Sequence, residues 1–168
     1  MFNVGDKIIY GSEGVFCVTE YTTSPLDKND KRVFYVLRPV HGFENNVIVT
    51  PSEGGMTSMR LVIGREEALA LIDRIRDIGE VSVPYERGRR DAYKSVMACG
   101  RGEDFISIIK TVRRRRVEFM AQKRRLAETD TDFESRAKKC LYGELAVALD
   151  MPFVEVEPFI KQRLGENG

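Results

Sequence analysis

Val4-Gly5-Asp6-Lys7-Ile8-Ile9-Tyr10-Gly11-Ser12-Glu13-Gly14-Val15-Phe16-Cys17-Val18 is the stretch on which the reading of this chain turns. An alternating strand, Lys7–Tyr10, runs into Gly11-Ser12-Glu13-Gly14, and a second strand opens at Val15. Two glycines permit a tight reversal, because glycine tolerates positive φ where other residues clash. A hairpin so near the start is the usual opening of a small, strongly bent β-barrel that docks a partner through an edge strand. The expectation is a binding module.

Outward from the hairpin, period-two patterning with β-branched and aromatic residues persists to about Ile63. The expected strands are Lys7–Tyr10, Val15–Thr22, Arg32–Val40, Asn46–Thr50 and Met59–Ile63, with turns at Ser24-Pro25, Lys28-Asn29-Asp30, Gly42 and Gly54-Gly55. Arg32–Arg38 is apolar on both faces and is expected to lie centrally. After Gly64 the period becomes 3.6, giving helices over Arg65–Ile78, Tyr85–Cys99, Glu103 to about Leu126, Asp130 or Thr131 to Leu149, and Val154–Leu164, with Pro158 in the first turn of the last. The fold class expected is α+β: a five-stranded Tudor- or SH3-like barrel over residues 1–63, followed by a compact all-helical domain of about five helices over residues 64–168.

The chain of 168 residues has a net charge of +1, which conceals an asymmetry. Residues 80–125 carry thirteen basic and six acidic side chains, net +7, whereas residues 126–168 are net −4. A cationic block of this kind points to a polyanion partner. No apolar run approaches the roughly 18 residues of a membrane span, and the start lacks the charged and apolar regions of a signal peptide. Cys17, Cys99 and Cys140 are odd in number and widely spaced, favouring reduced thiols over disulfides or zinc and a cytoplasmic location.

Val4, Gly5, Asp6, Tyr10, Gly14 and Val15 form the pattern VGD-x-[IV]-[IV]-Y-x-x-x-GV. It resembles the start of the CarD/CdnL family of bacterial transcription regulators, whose opening domain is shared with the RNA-polymerase-interacting domain of transcription-repair coupling factors. Met59-Arg60-Leu61-Val62-Ile63 resembles that family's junction, and Gly143-Glu144-Leu145-Ala146, within Cys140–Leu149, resembles its closing helix; residues 93–94 add a fourth match. The resemblance implies a barrel that docks an edge strand on the β-subunit lobe of RNA polymerase, and a helical domain that contacts promoter DNA and stabilises the open complex. Asn46-Val47-Ile48-Val49-Thr50-Pro51 is the candidate edge, since Pro51 ends a ladder. The candidate polymerase contacts are Val47, Ile48, Val49 and Thr50, with Arg38 on the neighbouring strand supplying charge.

A wheel projection of Tyr85–Cys99 places Tyr85, Ala92, Val96 and Cys99 within about 60° of one another. Arg87, Arg90, Lys94 and, just beyond, Arg101 fall within about 60° on the other side, free of carboxylates. Such a stripe suits phosphate contact, and Arg89 adds a cation to the same segment. Arg113-Arg114-Arg115-Arg116 points all round its helix. Phe105, Ile108, Ile109, Val112 and Phe119 mark the expected buried face, into which Arg116 projects in a structural role. Lys110, Arg113, Arg114, Arg124 and Arg125 lie outward, to meet phosphates or to pair with the acidic region Glu128–Glu134. Many family members wedge a Trp into the minor groove; this chain has none, and Tyr85 is the candidate substitute, unless it is core.

Catalysis is not expected. His41 sits in a Pro-Val-His-Gly-Phe turn and reads as a surface residue, no nucleophile or metal set has suitable spacing, and neither Gly54-Gly55 nor Gly100-Arg101-Gly102 has the Lys-Ser/Thr of a phosphate loop. No cofactor, metal, membrane or small-molecule substrate is expected. The rival reading is a protein–protein adaptor whose helices recruit a second protein instead of DNA.

Overall fold

The computed structural model describes residues 1–42 and 45–165. The alternating segments pair into a five-stranded antiparallel sheet: β1 (Lys7–Tyr10), β2 (Gly14–Thr22), β3 (Phe34–Pro39), β4 (Ile48–Pro51) and β5 (Met59–Leu61), in the order β4-β3-β2-β1-β5. The β1–β2 hairpin sets Tyr10 opposite Gly14, and Gly11 and Gly14 take φ of 48° and 109°, as the turn requires. A slip in register between Val18 and Glu20 bends β2.

The sheet is open, with β4 and β5 as its two edges, so the expected closed barrel is corrected. Edge strands of four and three residues leave little ladder with which to close. It nevertheless curls. The Tyr10 hydroxyl on β1 lies 3.5 Å from Thr50 Oγ1 on β4, three strands away. In a flat sheet those strands would stand roughly 14 Å apart. On the concave side Ile8, Phe16, Val18, Tyr35 and Leu37 form a small core, with Phe2, Tyr10, Ile48 and Met59 packed around it.

The 3.6-period segments form α1 (Arg65–Asp73), α2 (Arg89–Ala98), α3 (Gly102–Ala121), α4 (Glu128–Ala148) and α5 (Phe153–Arg163), with 3₁₀ turns at Ile75–Asp77 and Glu86–Gly88. A second, larger core joins Leu71, Ile72, Tyr93, Met97, Phe105, Ile108, Val112, Leu141 and Leu145, among others. α3 and α4 pack as an antiparallel pair. No helix among the described residues is long and apolar enough to cross a membrane.

Several boundaries differ from expectation for local reasons. α1 stops at Asp73 and its last turn tightens to 3₁₀. Tyr85 stands in extended backbone (φ −134°, ψ 136°), ahead of a 3₁₀ turn, so the expected Tyr85–Cys99 helix begins only at Arg89. α3 ends five residues early because Lys123 takes φ 55°. Its N–H donates to the Met120 carbonyl and that of Arg124 to the Phe119 carbonyl at 2.8 Å, a Schellman closure built without glycine. α4 begins at Glu128 with no side-chain cap, since Asp130 is buried in ion pairs. Pro158 is the sixth residue of α5, not in its first turn.

The outer face of the hairpin packs on the helices. Ile9 and Val15, partners across β1 and β2, are 1% and 5% exposed although neither joins the sheet core. Val15 meets α4 at Gly143, where an added Cβ would lie 3.4 Å from Val15 Cγ2 and 3.2 Å from the His41 ring. A side chain there would require the His41 ring to shift by a few tenths of an ångström. The Cys140 thiol donates to the Ser12 carbonyl at 3.3 Å, and Ser58 Oγ donates to the Ala98 carbonyl at 3.1 Å.

The strongest tie is Arg60 on β5. Its guanidinium donates to both oxygens of Glu144 on α4, at 2.5 and 2.8 Å, and to the Gly100 carbonyl at 2.6 Å. Glu144 is 1% exposed and also accepts the Ile63 N–H at 3.2 Å.

Candidate nucleic-acid interface

Tyr85 stands at the head of the 3₁₀ turn and is 73% exposed, which corrects its expected place on an apolar seam. Tyr93, one turn into α2, takes the core position and is fully buried. Arg87, Arg90 and Lys94, spaced three and four apart, are exposed on the same segment. None of the three forms an ion pair among the described residues.

Directly beneath this surface lies a buried network. Asp130, with no exposure, accepts the Tyr93 hydroxyl at 2.6 Å and Arg115 Nε at 3.1 Å; Arg89 Nη1 stands 3.9 Å away. Arg89 and Arg115 both grip Glu86, at 2.8 and 3.1 Å. The Arg89 bond is the main reason the Glu86 carboxyl lies below its ordinary range, with Arg115 assisting. Burial, with the bond to Asp130, pushes the Tyr93 hydroxyl up to about 12. Glu86 lies between Tyr85 and Arg87 in sequence, so the network fastens the turn that displays them.

Arg89 is therefore not a surface phosphate contact. It is 8% exposed, and i,i+4 spacing from Tyr93 carries it inward while Arg90 turns out. Similar reassignments hold elsewhere. Arg101 is exposed but bonded to Asp104 at 2.9 Å. Lys110 donates to the Ile75, Arg76 and Ile78 carbonyls and closes the 3₁₀ turn after α1. Arg114 bridges Glu80 and Glu118. Arg124 stacks 4.6 Å from the centre of the Phe119 ring, which Arg115 also approaches, at 4.7 Å. Arg113 and Arg125 are exposed without an ion pair among the described residues. None of the outward cations meets the acidic region of α4. Arg115 and Arg116 do so, at Asp130 and Glu134. Within the quartet Arg115 is the buried member, 6% exposed, and Arg116 is half-buried on Glu134.

At the other end, β4 lies at the sheet edge and, among the described residues, pairs only with β3, Leu37 opposite Ile48 and Tyr35 opposite Thr50. The candidate contacts divide between faces. Ile48 packs on the sheet core and Thr50 is 5% exposed, leaving them only main-chain groups to offer. Val47 and Val49, each 40% exposed, and exposed Arg38 belong to the opposite face. Pro51 ends the strand.

His41 is tied into the fold rather than free in a surface turn. Nε2 lies 3.1 Å from the Gly143 carbonyl and the ring packs 5.4 Å from Phe153. Phe43 of the same turn lies outside the described residues. All three cysteines are free thiols. Among the described residues no group of three His, Cys, Asp or Glu could hold a metal ion.

Glu86, Arg115, Asp130 and the Arg60–Glu144 pair escaped sequence reading. For Arg115 a signal existed: Phe105, Ile108, Val112 and Arg115 follow 3-4-3 spacing, the phase that is buried. The other contacts join residues far apart, Glu86 to Arg115 across 29 positions and Arg60 to Glu144 across 84, and leave no local trace. No protein-family model and no curated protein matches the chain.

Proposed function

We propose that this protein is a non-enzymatic transcription regulator resembling CarD/CdnL. Its sheet, a curled variant of a Tudor- or SH3-like module, docks on the β-subunit lobe of RNA polymerase, and its helical half contacts promoter DNA to stabilise the open complex. The observation that carries the DNA half is Tyr85, exposed at 73% and flanked by three cations, Arg87, Arg90 and Lys94, that form no ion pair among the described residues. Cations so placed hold phosphates through charge-assisted bonds and counterion release. An amphipathic aromatic ring beside them is chemically suited to stack on, or wedge against, a base step. The edge of β4 supports the polymerase half. Its outward main chain can extend a partner sheet, with Val47, Val49 and Arg38 lending specificity. Two weak contacts joined in one chain reinforce each other, because the second becomes intramolecular.

The test measures open-complex lifetime on a promoter with purified bacterial RNA polymerase. The wild-type chain is expected to lengthen it. Arg87→Ala with Arg90→Ala should abolish that effect and flatten the log–log salt dependence of DNA binding by about 2. Ile48→Pro should abolish capture of the β lobe. An unchanged lifetime with the double variant refutes the DNA role.

One observation favours the adaptor reading: α3 exposes Val117 at 65% and Met120 at 71%, apolar surface one turn apart. Contact through that surface would be nearly independent of salt.

A further inference from the structure

Arg113 forms no ion pair among the described residues, yet it does not share a surface with the Tyr85 turn. It lies about 200° around α3 from Arg115, which anchors that turn. Arg113 stands instead beside a half-open cleft of about 280 Å³ bordered by α3, α4, α5 and Ile75 of the turn after α1. Small-ligand sites begin near that size, about 300 Å³, and a dry cavity of about 150 Å³ already admits benzene. The floor is apolar: Ile106 and Ile109 from α3, Leu141 from α4, Ile160 from α5.

The rim is unevenly charged. Its two carboxylates are already engaged. Glu134 accepts Arg116 at 2.5 Å and Lys138 at 2.9 Å, while Glu157 holds Lys161 loosely at 3.7 Å. Arg113 is left over, and so is a second donor. The Tyr142 hydroxyl makes no hydrogen bond among the described residues, although its ring is fixed edge-on to Phe153 at 6.3 Å. Burial, reinforced by Glu157 and Glu134 and opposed by Arg113, pushes that hydroxyl up to about 12, so it carries its proton at neutral pH. An apolar floor beneath one unpaired guanidinium, one unpaired O–H donor and one loosely held ammonium is complementary to a molecule with a single anionic end.

We propose that this cleft binds a small anionic amphiphile, its carboxylate or equivalent headgroup on Arg113 and Tyr142 and its short alkyl or aryl body over Ile106, Ile109, Leu141 and Ile160. Lys161 is close enough to the rim to exchange Glu157 for the ligand. The site goes beyond the transcriptional reading and depends on neither of its contacts.

Octanoate is the probe, titrated into the full chain while the isoleucine δ1-methyl resonances are followed by NMR. Saturable shifts confined to Ile106, Ile109 and Ile160 and their neighbours are expected. Octanol and acetate, each lacking half of the recognition, should bind at least about tenfold more weakly. Arg113→Glu, at an exposed position, should weaken octanoate by a similar factor with an unchanged melting temperature, and Ile109→Phe should block it by filling the floor. Equal binding of acetate or octanol overturns the proposal, as does octanoate affinity indifferent to Arg113→Glu. Shifts spread equally to isoleucines of the sheet, Ile8 and Ile48, overturn it too. Because polymerase and DNA are absent, failure here leaves the open-complex test unaffected.

Discussion

Replacing Glu144 by Ala is expected to loosen the junction of sheet and helices. The carboxylate receives three donors, two from Arg60 and one from the Ile63 N–H. Breaking a buried pair by removing one partner costs about 3–5 kcal/mol. Arg60 keeps 29% of its side-chain exposure, so water recovers part of its solvation and the lower end, about 3 kcal/mol, applies. The orphaned Ile63 N–H adds about 1 kcal/mol. A total near 4 kcal/mol lowers the melting temperature of a chain this size by roughly 8–16 °C. The converse change, Arg60→Met, should cost at least as much, because Glu144 at 1% exposure has no access to water. Replacing both, Arg60→Met with Glu144→Leu, removes the uncompensated charge and should cost less than the sum of the singles by about 2 kcal/mol or more. Calorimetric unfolding of the four proteins at pH 7 reads this coupling directly. A loss below about 1 kcal/mol for Glu144→Ala, or simple additivity, would refute the claim that this pair clasps the two halves.

Asp130→Ala strands Arg89 and Arg115 beneath the Tyr85 turn and should cost about 3–5 kcal/mol by urea unfolding; a near-neutral result would mean that the network does not anchor the turn. Acid should destabilise the protein through Glu134. Burial raises its carboxyl, but the Arg116 and Lys138 bonds outweigh this and leave it below its ordinary 4.5. A depressed carboxyl contributes stability above its unfolded value that is lost as pH falls through the folded one. Glu134→Gln should therefore start less stable at pH 7 and lose less between pH 5 and pH 3, as read from urea midpoints. Alkylation with iodoacetamide at pH 8 should label exposed Cys99 first, Cys17 next and Cys140 last. Burial pushes the Cys140 thiol up to about 12 and its proton is donated to Ser12, so rapid labelling at Cys140 would show that the hairpin does not rest on α4.

What the sequence by itself determined is local and periodic. Alternation placed all five strands within about two residues of their observed limits; β3, expected at the centre from its two apolar faces, is an interior strand between β4 and β2, and the centre is held by β2. The hairpin was legible because Gly11 and Gly14 supply backbone conformations that other residues resist. Helix phase was legible only in part in α2: Arg90 and Lys94 turn outward, but the buried face is Arg89, Tyr93 and Met97 rather than the expected seam of Ala92, Val96 and Cys99, of which Cys99 is exposed. Termini misled where chemistry departed from custom: Lys123, not glycine, takes the left-handed turn that ends α3. Tertiary structure alone decided whether the sheet closed, since edge pairing depends on how far short β4 and β5 are carried around the curl. It also decided which cations remain for a partner. A helix wheel cannot see that Lys110 caps a distant turn, that Arg114 meets Glu80, or that Arg89 and Arg115 share Asp130 and Glu86. Charge is neutralised by neighbours in space, and those neighbours lie tens of residues away along the chain. Tyr85 is the converse: apolar by type, it was brought to the surface because Tyr93, bonded to Asp130, already held the core.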